Sequence, residues 1–294
     1  MRLTFLYALL CTLLSSIVSA QTPLQDEIHK IVAAARGQVS VSCSLPGSTL
    51  NCDLKPLAHP PMQSVFKLPL AVCMFQQITQ GKFSLDQPVR FLPSDLFPKG
   101  TYSPLQDKYP DANVDVPLRE LLRLSVSFSD NAAADIVLRL VGGPTVVDAC
   151  IKSLGVEGFH LEDGEHGLHR DPTAQYRNWF EPAGAVQFLR KLSDNSPLSP
   201  EQTELLLTWM KDSPTGLNRL KGALPSGTIV MHKTGSSGSQ AGKTPATNDI
   251  GLIVLPDGRR LAIAVFITDA SADSATIESV IARIAAAAYG ATVR

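Results

Sequence analysis

The sequence has no excess of charge of either sign. Its 294 residues include 26 lysines and arginines against 27 aspartates and glutamates, a formal net charge of −1. Proteins that bind nucleic acids or anionic membrane surfaces usually carry a strong basic patch. The charge balance is therefore evidence against both kinds of partner. The chain also has no internal repeat and no low-complexity segment.

Long apolar runs are absent outside residues 1–20. In that stretch Arg2 precedes an apolar run, and Val18-Ser19-Ala20 has the small residues of a cleavage site, which predicts a secretory signal peptide. The run is short for a membrane anchor. Lipoprotein processing at Cys11 is a minor alternative, because Leu10 is larger than the residue usual before such a cysteine. We expect a periplasmic or secreted protein.

Cysteines are few, and four follow the predicted signal peptide: Cys43, Cys52, Cys73 and Cys150. Export to an oxidising compartment permits disulfides. A hairpin turn at Gly47-Ser48 would place Cys43 opposite Cys52, close enough for a bridge, and a bridge and two unpaired thiols both remain open. Cys73 and Cys150 lie in apolar helical contexts, and we expect them to be buried as small hydrophobic residues.

Apolar residues are abundant, at 44% of the chain, and follow helical and strand patterns. Predicted strands are 38–45, 49–54, 228–233, 249–255 and 261–268. Predicted helices are 24–36, 66–78, 116–124, 131–141, 145–154, 182–192, 200–211 and 274–289. We expect an α+β fold in which residues 21–60 and 212–294 form one antiparallel five-stranded sheet flanked by terminal helices. Residues 61–211 would be inserted as an all-α lobe.

Three short motifs occur in a fixed order along the chain: Ser64-Val65-Phe66-Lys67, Ser129-Asp130-Asn131 and Lys233-Thr234-Gly235. Glu165 lies between the second and the third. Each motif is weak alone, since composition gives roughly one S-x-x-K by chance in a chain of this size. Together they supply a serine nucleophile, two lysines, a second hydroxyl and a carboxylate. These are the groups that acyl transfer requires.

Ser64 and Lys67 are three residues apart, so a helix would place them on one face. In the first turn of that helix, backbone N–H groups and the helix dipole would favour negative charge developing at Ser64. Pro69 is compatible with a helix only near its start, which agrees with this placement. The flanking residues are too apolar for a solvated surface. Lys67 is therefore predicted to hold or accept the serine proton.

The third motif follows a predicted strand. Gly235 has no Cβ and would let a ligand approach the strand edge closely. Lys233, Thr234 and Ser236 offer a positive charge and two hydroxyls for a substrate carboxylate. The backbone N–H groups of Ser64 and Ser236 would form an oxyanion hole.

Two assignments have ordinary structural alternatives. Ser129-Asp130-Asn131 on its own would be interpreted as a helix N-cap. Arg219 either adds positive potential beside Lys233 or forms an ordinary salt bridge or helix cap.

With these motifs the sequence resembles the class A serine β-lactamases, from about residue 25 to the C-terminus. The similarity is greatest to the extended-spectrum branch with the PER-type and Bacteroides-type enzymes, in HPPMQSVFKLPLAV, SDNAAADIVL, QYRNW, SPTGLNRLKGALPSGTIVMHKTG and TNDIGLIVLPDGR. The resemblance implies a site between two lobes. It also implies that Ser129 is the proton shuttle to the β-lactam nitrogen and that Asn131 binds the acylamino side chain. Asp130 is expected to be structural.

Glu165 is similar to the family's deacylating glutamate. The segment from Glu165 to His169 matches the pattern E-x-x-L-N, with His169 in place of the asparagine that helps to hold the attacking water. Glu162 and Asp163 are the competing candidates. Asp163 stands where the family often has arginine, which puts the usual salt bridge across this loop in doubt and predicts a different loop path. Whether Lys67 or Glu165 is the base for acylation remains open.

The implied function is hydrolysis of the β-lactam amide through a serine acyl-enzyme by a monomer without cofactor or metal. The order E-H-x-x-H at 165–169 is not the zinc-binding H-E-x-x-H. Twelve residues, 236–247, separate Gly235 from Asn248. This long connection predicts space for oximino-cephalosporins beside penicillins and other cephalosporins, unless it is only a solvated hairpin tip. The alternatives are a D-Ala-D-Ala peptidase and a non-hydrolytic penicillin-binding sensor.

Overall fold

The computed structural model describes residues 22–293, so the predicted signal peptide lies outside the described residues. The helices are α1 (Pro23–Val32), α2 (Lys67–Thr79), α3 (Pro104–Lys108), α4 (Leu118–Ser127), α5 (Asn131–Val141), α6 (Pro144–Ser153), α7 (Glu165–Arg170), α8 (Pro182–Asp194), α9 (Pro200–Lys211) and α10 (Ser274–Thr292). The strands are β1 (Gln38–Ser44), β2 (Pro88–Phe91), β3 (Val114–Pro117), β4 (Phe159–His160), β5 (Trp179–Phe180), β6 (Val230–Ser236), β7 (Thr244–Val254) and β8 (Arg260–Ala270).

The main sheet is antiparallel, with the strand order β1-β8-β7-β6. Helices α1 and α10 pack together, and α10 covers one face, whereas α8 and α9 pack against strands of the sheet from the helical part of the chain. Strand β8 shows why both faces are buried. Leu261, Ile263, Val265 and Ile267 belong to the core beneath the terminal helices, and Ala262, Ala264 and Phe266 belong to the core shared with the helical block. The predicted α+β fold is confirmed.

The described part of this sheet has four strands, whereas the sequence predicted five. The segment 49–54 makes a single bridge, between Leu54 and Val41. Local hydrogen bonds compete with the strand ladder, because Ser48 Oγ accepts the N–H of Leu50 and Asn51 Oδ1 accepts the N–H of Asp53. The predicted fifth strand is therefore an irregular segment beside β1.

Two disulfides are present among the cysteines of residues 22–293. Cys43 pairs with Cys52 in the register expected for the predicted hairpin, with a Cα–Cα distance of 5.8 Å. Cys73 on α2 pairs with Cys150 on α6, with a Cα–Cα distance of 6.1 Å. The prediction that this second pair would be unbridged hydrophobic residues was wrong, because α2 packs against α6 and brings the two side chains together.

The short pairs β2–β3 and β4–β5, together with α3 and α7, were not predicted. They have two to six residues each, too few to give a periodic signal. The pair β4–β5 matters most for the site, because it joins Phe159 to Phe180 and closes the base of the loop 161–178 that carries Glu165. Among residues 22–293, no helix has the length and apolar character needed to cross a bilayer.

Candidate active site

Ser64 lies in a 3₁₀ turn, Gln63–Phe66, that leads directly into α2. The chain before this turn is held from two sides. The side chain of Asn248 donates to the carbonyl of Pro61 at 2.8 Å, and the N–H of Met62 donates to the carbonyl of Asn178 at 3.0 Å. The predicted position of Ser64 at the start of a helix is confirmed.

Lys67 is fully buried one turn after Ser64. Its Nζ lies 2.9 Å from Glu165 Oε1 and donates to the carbonyl of Ser129 and to Asn131 Oδ1, both at 2.7 Å. An ammonium group has three N–H donors, and here it faces three acceptors. Lys67 therefore joins residues of all the predicted catalytic segments except the third motif.

Ser129 connects the two lysines. Its backbone is left-handed, with φ of +59°, a conformation that is uncommon for a residue with a side chain. This turns its carbonyl toward Lys67 while Lys233 Nζ donates to its Oγ at 2.9 Å. Burial, and then the nearby positive charge of Lys67, hold the pKa of Lys233 well below its usual value.

Asp130 caps α5, as the structural interpretation of this residue predicted. Its carboxylate accepts the N–H of Ala133 at 2.8 Å and of Leu105 at 2.6 Å, and the hydroxyl of Ser103 at 2.9 Å. Burial raises the pKa of Asp130, against the effect of these hydrogen bonds. The cap fixes the start of α5 and hence the side chain of Asn131.

The loop 161–178 is fixed by its own polar residues. The side chain of the buried Asn178 accepts the N–H groups of Glu162 and Asp163 at 2.8 and 3.0 Å and donates to the carbonyl of Asp163. Arg177 pairs with Asp163 at 2.8 Å and with Asp171 at 3.0 Å. The salt bridge that the sequence put in doubt is therefore present, with the arginine at the end of the loop.

This arrangement separates Glu165 from its two competitors. Glu162 and Asp163 both pair with Arg177, and the side chain of Glu162 is about half exposed. Glu165 is 4% exposed, and the hydroxyl of Ser64 donates to its Oε1 at 3.3 Å. Glu165 is the carboxylate that the fold brings to the predicted nucleophile.

His169 lies one turn after Glu165 on α7, and its Nδ1 lies 2.8 Å from the Glu165 carbonyl. Asp135, which the sequence did not predict as a site residue, accepts the N–H of Glu165 at 2.7 Å. It follows Asn131 by one helical turn, so the period of α5 could have placed it on the same face. Nothing in the sequence indicated which distant segment that face would meet.

The strand β6 forms the opposite wall. Thr234 Oγ1 lies 2.8 Å from Thr215 Oγ1, and both residues line the cleft. A Cβ on Gly235 would collide with the carbonyl of Met62 and approach Gln63 Cβ at 3.2 Å. The missing Cβ of Gly235 therefore lets β6 pack against the chain just before Ser64. That Gly235 also makes room for a ligand stays a prediction.

Arg219 combines both of its predicted roles. Its Nε donates to Glu278 at 3.0 Å and its Nη2 to Ser236 Oγ at 2.8 Å, while Nη1 donates to the carbonyls of Gly235 and Asn248. Four of five N–H donors are thereby used. Arg219 is 8% exposed and still lines the cleft, so it is both a structural ion pair and a positive charge beside β6.

These walls enclose a cleft of about 860 Å³. Eight predicted site residues line it: Ser64, Ser129, Asn131, Glu165, His169, Arg219, Thr234 and Ser236. Lys67 and Lys233 lie buried behind the serines. Ser237, Gly238 and Gln240 of the β6–β7 connection also line the cleft, and β7 begins at Thr244, earlier than predicted. Within residues 22–293, no cluster of histidine, cysteine, aspartate or glutamate is placed to hold a metal.

Comparisons with known proteins identify the family of this chain. Residues 23–292 match the family described as the beta-lactamase enzyme family. The extended-spectrum beta-lactamase PER-1 of Pseudomonas aeruginosa is 42% identical, over 92% of this chain and 88% of its own. A beta-lactamase of Bacteroides uniformis is 36% identical, over 96% of both chains. The crystal structure of a beta-lactamase from Chitinophaga pinensis has a TM-score of 0.89 at 40% identity, covering 92% of this chain and 100% of its own.

Fold, motifs and relatives thus agree. The predicted relationship to the PER-type and Bacteroides-type enzymes is confirmed. So is the prediction of an enzyme that acts on β-lactams. The chain, with its serine, two lysines and buried glutamate in one cleft, belongs to the beta-lactamase enzyme family.

Proposed function

We propose that this enzyme hydrolyses penicillins and cephalosporins, including oximino-cephalosporins, through an acyl-enzyme on Ser64. The observation that carries the proposal is the hydrogen bond from Ser64 to Glu165 Oε1. The buried Lys67 is paired with this same oxygen. A nucleophilic serine needs a base within hydrogen-bond reach, and a deacylating water needs one in the same place.

For acylation, the geometry favours Glu165 as the base. The three donors of Lys67 each face an acceptor, so the lysine holds the carboxylate rather than the serine proton. Ser64 Oγ attacks the β-lactam carbonyl carbon and its proton passes to Glu165. The N–H groups of Ser64 and Ser236 would stabilise the oxyanion.

Opening the ring requires a proton on the departing nitrogen. Ser129 supplies it in this scheme, and Lys233, hydrogen-bonded to Ser129 Oγ, gives a proton to the serine in turn. The lowered pKa of Lys233 makes its ammonium a more ready proton donor than an ordinary lysine. The C–N bond breaks and the acyl-enzyme remains on Ser64.

The remaining residues orient the substrate. Asn131 Oδ1 is occupied by Lys67, which leaves its amide N–H groups for the carbonyl of the acylamino side chain. Thr234, Ser236 and Arg219 would bind the carboxylate. Before deacylation, Glu165 releases to solvent the proton that it took from Ser64, and Lys233 regains a proton from solvent. In deacylation the Glu165 carboxylate removes a proton from water and the water oxygen attacks the ester carbon. The ester C–O bond then breaks, and Ser64 Oγ departs with the proton that Glu165 holds. His169 would help to hold that water.

We further propose that the enzyme acts as a periplasmic or secreted monomer. The signal-peptide pattern of residues 1–20 supports export. The division at residues 60/61 and 211/212 into an α/β lobe and a helical lobe is also a proposal, supported by the two separate groups of buried apolar residues.

Nitrocefin turnover tests the function. A hydrolase should give sustained steady-state turnover, with product exceeding enzyme many-fold. A D-Ala-D-Ala peptidase or a penicillin-binding sensor would give a stoichiometric burst and then stop, and that result would reject the proposal.

A further inference from the structure

Glu165 shares its hydrogen-bond acceptor, Asp135, with His166, a histidine that none of the three motifs contains. Asp135 accepts three hydrogen bonds from the start of α7: the N–H of Glu165 at 2.7 Å, the N–H of His166 at 2.8 Å and the ring Nδ1–H of His166 at 2.7 Å. A Cβ on Gly164 would lie 2.7 Å from Asp135 Oδ1, so the carboxylate is in close contact with the loop. The main chain of Glu165 is thus fixed through the same carboxylate that binds the imidazole.

The ring of His166 faces acceptors at both nitrogens. Opposite Nδ1 is the Asp135 carboxylate, and opposite Nε2 is the carbonyl of Leu96, at 3.4 Å. Neither group can donate, so only the doubly protonated imidazolium satisfies both. The ring also stacks on Phe97, with centroids 3.8 Å apart. The hydrogen bond to Asp135 raises the pKa of His166, against the opposite effect of burial.

We propose that His166 is a proton-dependent positioning residue for Glu165. As an imidazolium it ties α7 to both Asp135 and the segment at Leu96, and so holds the Glu165 carboxylate against Ser64. The neutral ring loses one of these two hydrogen bonds and the charge that attracts Asp135. His166 does not touch the reacting atoms, and the inference rests on the proposed role of Glu165 as the base.

The other charged groups around the ring are consistent with a cation. Asp95 adds negative potential and is itself paired with Arg139 at 2.9 Å. His169 lies on the other side of Phe97, with ring centroids 5.1 Å apart. Asp135 and Asp95, the two carboxylates that raise the pKa of His166, lie on α5 and on the segment after β2.

The pH dependence follows from the direction of the pKa shift. His166 is fully protonated below the ordinary histidine pKa, about 6.5. It loses its proton as the pH rises through its own pKa, which is raised above that value. The deacylation rate of the wild type should therefore fall at alkaline pH, where His166 no longer carries its proton. A charge-assisted hydrogen bond corresponds to about tenfold in rate.

The experiment measures the decay of the acyl-enzyme by intact-mass spectrometry, with a slowly hydrolysed cephalosporin, from pH 6 to pH 9. The variants are His166→Ala, His166→Arg and the matched control His160→Ala. His160 is also paired with an aspartate, Asp148, at 3.3 Å, but does not line the cleft. Melting temperatures of all variants show whether they are folded.

We expect wild type to deacylate about tenfold faster than His166→Ala at pH 6, with the ratio falling toward one at pH 9. His166→Arg, which cannot lose its charge in this range, should keep its rate where the wild type declines. His160→Ala should follow the wild type at every pH.

A wild-type to His166→Ala ratio that is the same at all pH values would overturn the proposal, because the contribution of a ring that acts by packing alone does not depend on its protonation. If His166→Ala does not fold, an alkaline decline of His166→Arg equal to that of the wild type would overturn it equally. Absence of wild-type turnover at any pH would instead reject the proposed function, so the two failures are distinguishable.

Discussion

Ser64 and Glu165 are 101 residues apart in sequence, and the hydroxyl of Ser64 donates directly to Glu165 Oε1 at 3.3 Å. Lys67 Nζ approaches the same oxygen at 2.9 Å. One carboxylate oxygen therefore receives both the nucleophile and the buried cation. This shared oxygen links the two halves of the proposed reaction, because a change at Glu165 affects the base for both.

Glu165→Gln should slow acylation and deacylation together, each by about 10²–10⁴-fold, because the amide cannot accept the proton. Stopped-flow absorbance gives the acylation rate and intact-mass spectrometry gives acyl-enzyme decay. Unchanged acylation would move that proton transfer to Lys67. The matched control is Glu162→Gln, whose half-exposed side chain pairs with Arg177 and should change neither rate by more than about twofold.

Ser64→Ala should abolish the covalent adduct, since no other hydroxyl is bonded to Glu165 within the described chain. Loss of the nucleophile of an acyl-transfer site costs about 10⁶-fold in kcat. Intact-mass spectra with a slow cephalosporin provide the measurement. An adduct on the folded Ala variant would remove Ser64 from the nucleophile role.

The substrate range should include oximino-cephalosporins, because Ser237, Gly238 and Gln240 from the long β6–β7 connection line the cleft rather than leaving it. Steady-state kinetics on ceftazidime or cefotaxime, beside a simple penicillin, provide the test. A kcat/KM lower by about four orders of magnitude than that of the penicillin, roughly 5–6 kcal/mol of discrimination, would rule out such a site.

The two disulfides should contribute unequally to stability. The bridge between Cys73 and Cys150 closes a sequence separation of 77 residues, whereas that between Cys43 and Cys52 closes 9. Loop-closure entropy predicts losses of about 4.5 kcal/mol for the longer loop and about 2.6 kcal/mol for the shorter when each pair is replaced by serine. Denaturant unfolding of the two double variants measures this order. A larger loss for Cys43→Ser/Cys52→Ser would contradict the entropic explanation.

The sequence predicted best what depends on local pattern. The bounds of α5 and α9 coincide with the predicted 131–141 and 200–211, since both helices begin at a capping residue and have an apolar face. The three motifs also came together as expected. The prediction of a strand at 49–54 was wrong because Ser48 and Asn51 form local hydrogen bonds that strand propensity does not describe.

Contacts between segments that are distant in the sequence were harder to predict. The helical pattern around Cys73 and Cys150 contained no sign that α2 and α6 would meet. The three bonds of Asp135 to Glu165 and His166 arise from a loop about 30 residues away, whose path is set by Asn178 and Arg177. A single sequence carries the residue types of such contacts but not their partners.

The close packing of Gly235 against Met62 has a consequence for how resistance can evolve. Any side chain at position 235 would push β6 away from the turn that carries Ser64, so selection cannot adjust the cleft by enlarging this residue. The Glu165 loop and residues 237–243 also border the cleft, and a Cβ on Gly238 would meet no atom within 4 Å. We expect variants selected by new antibiotics to accumulate on these two segments, while the centre of β6 stays unchanged.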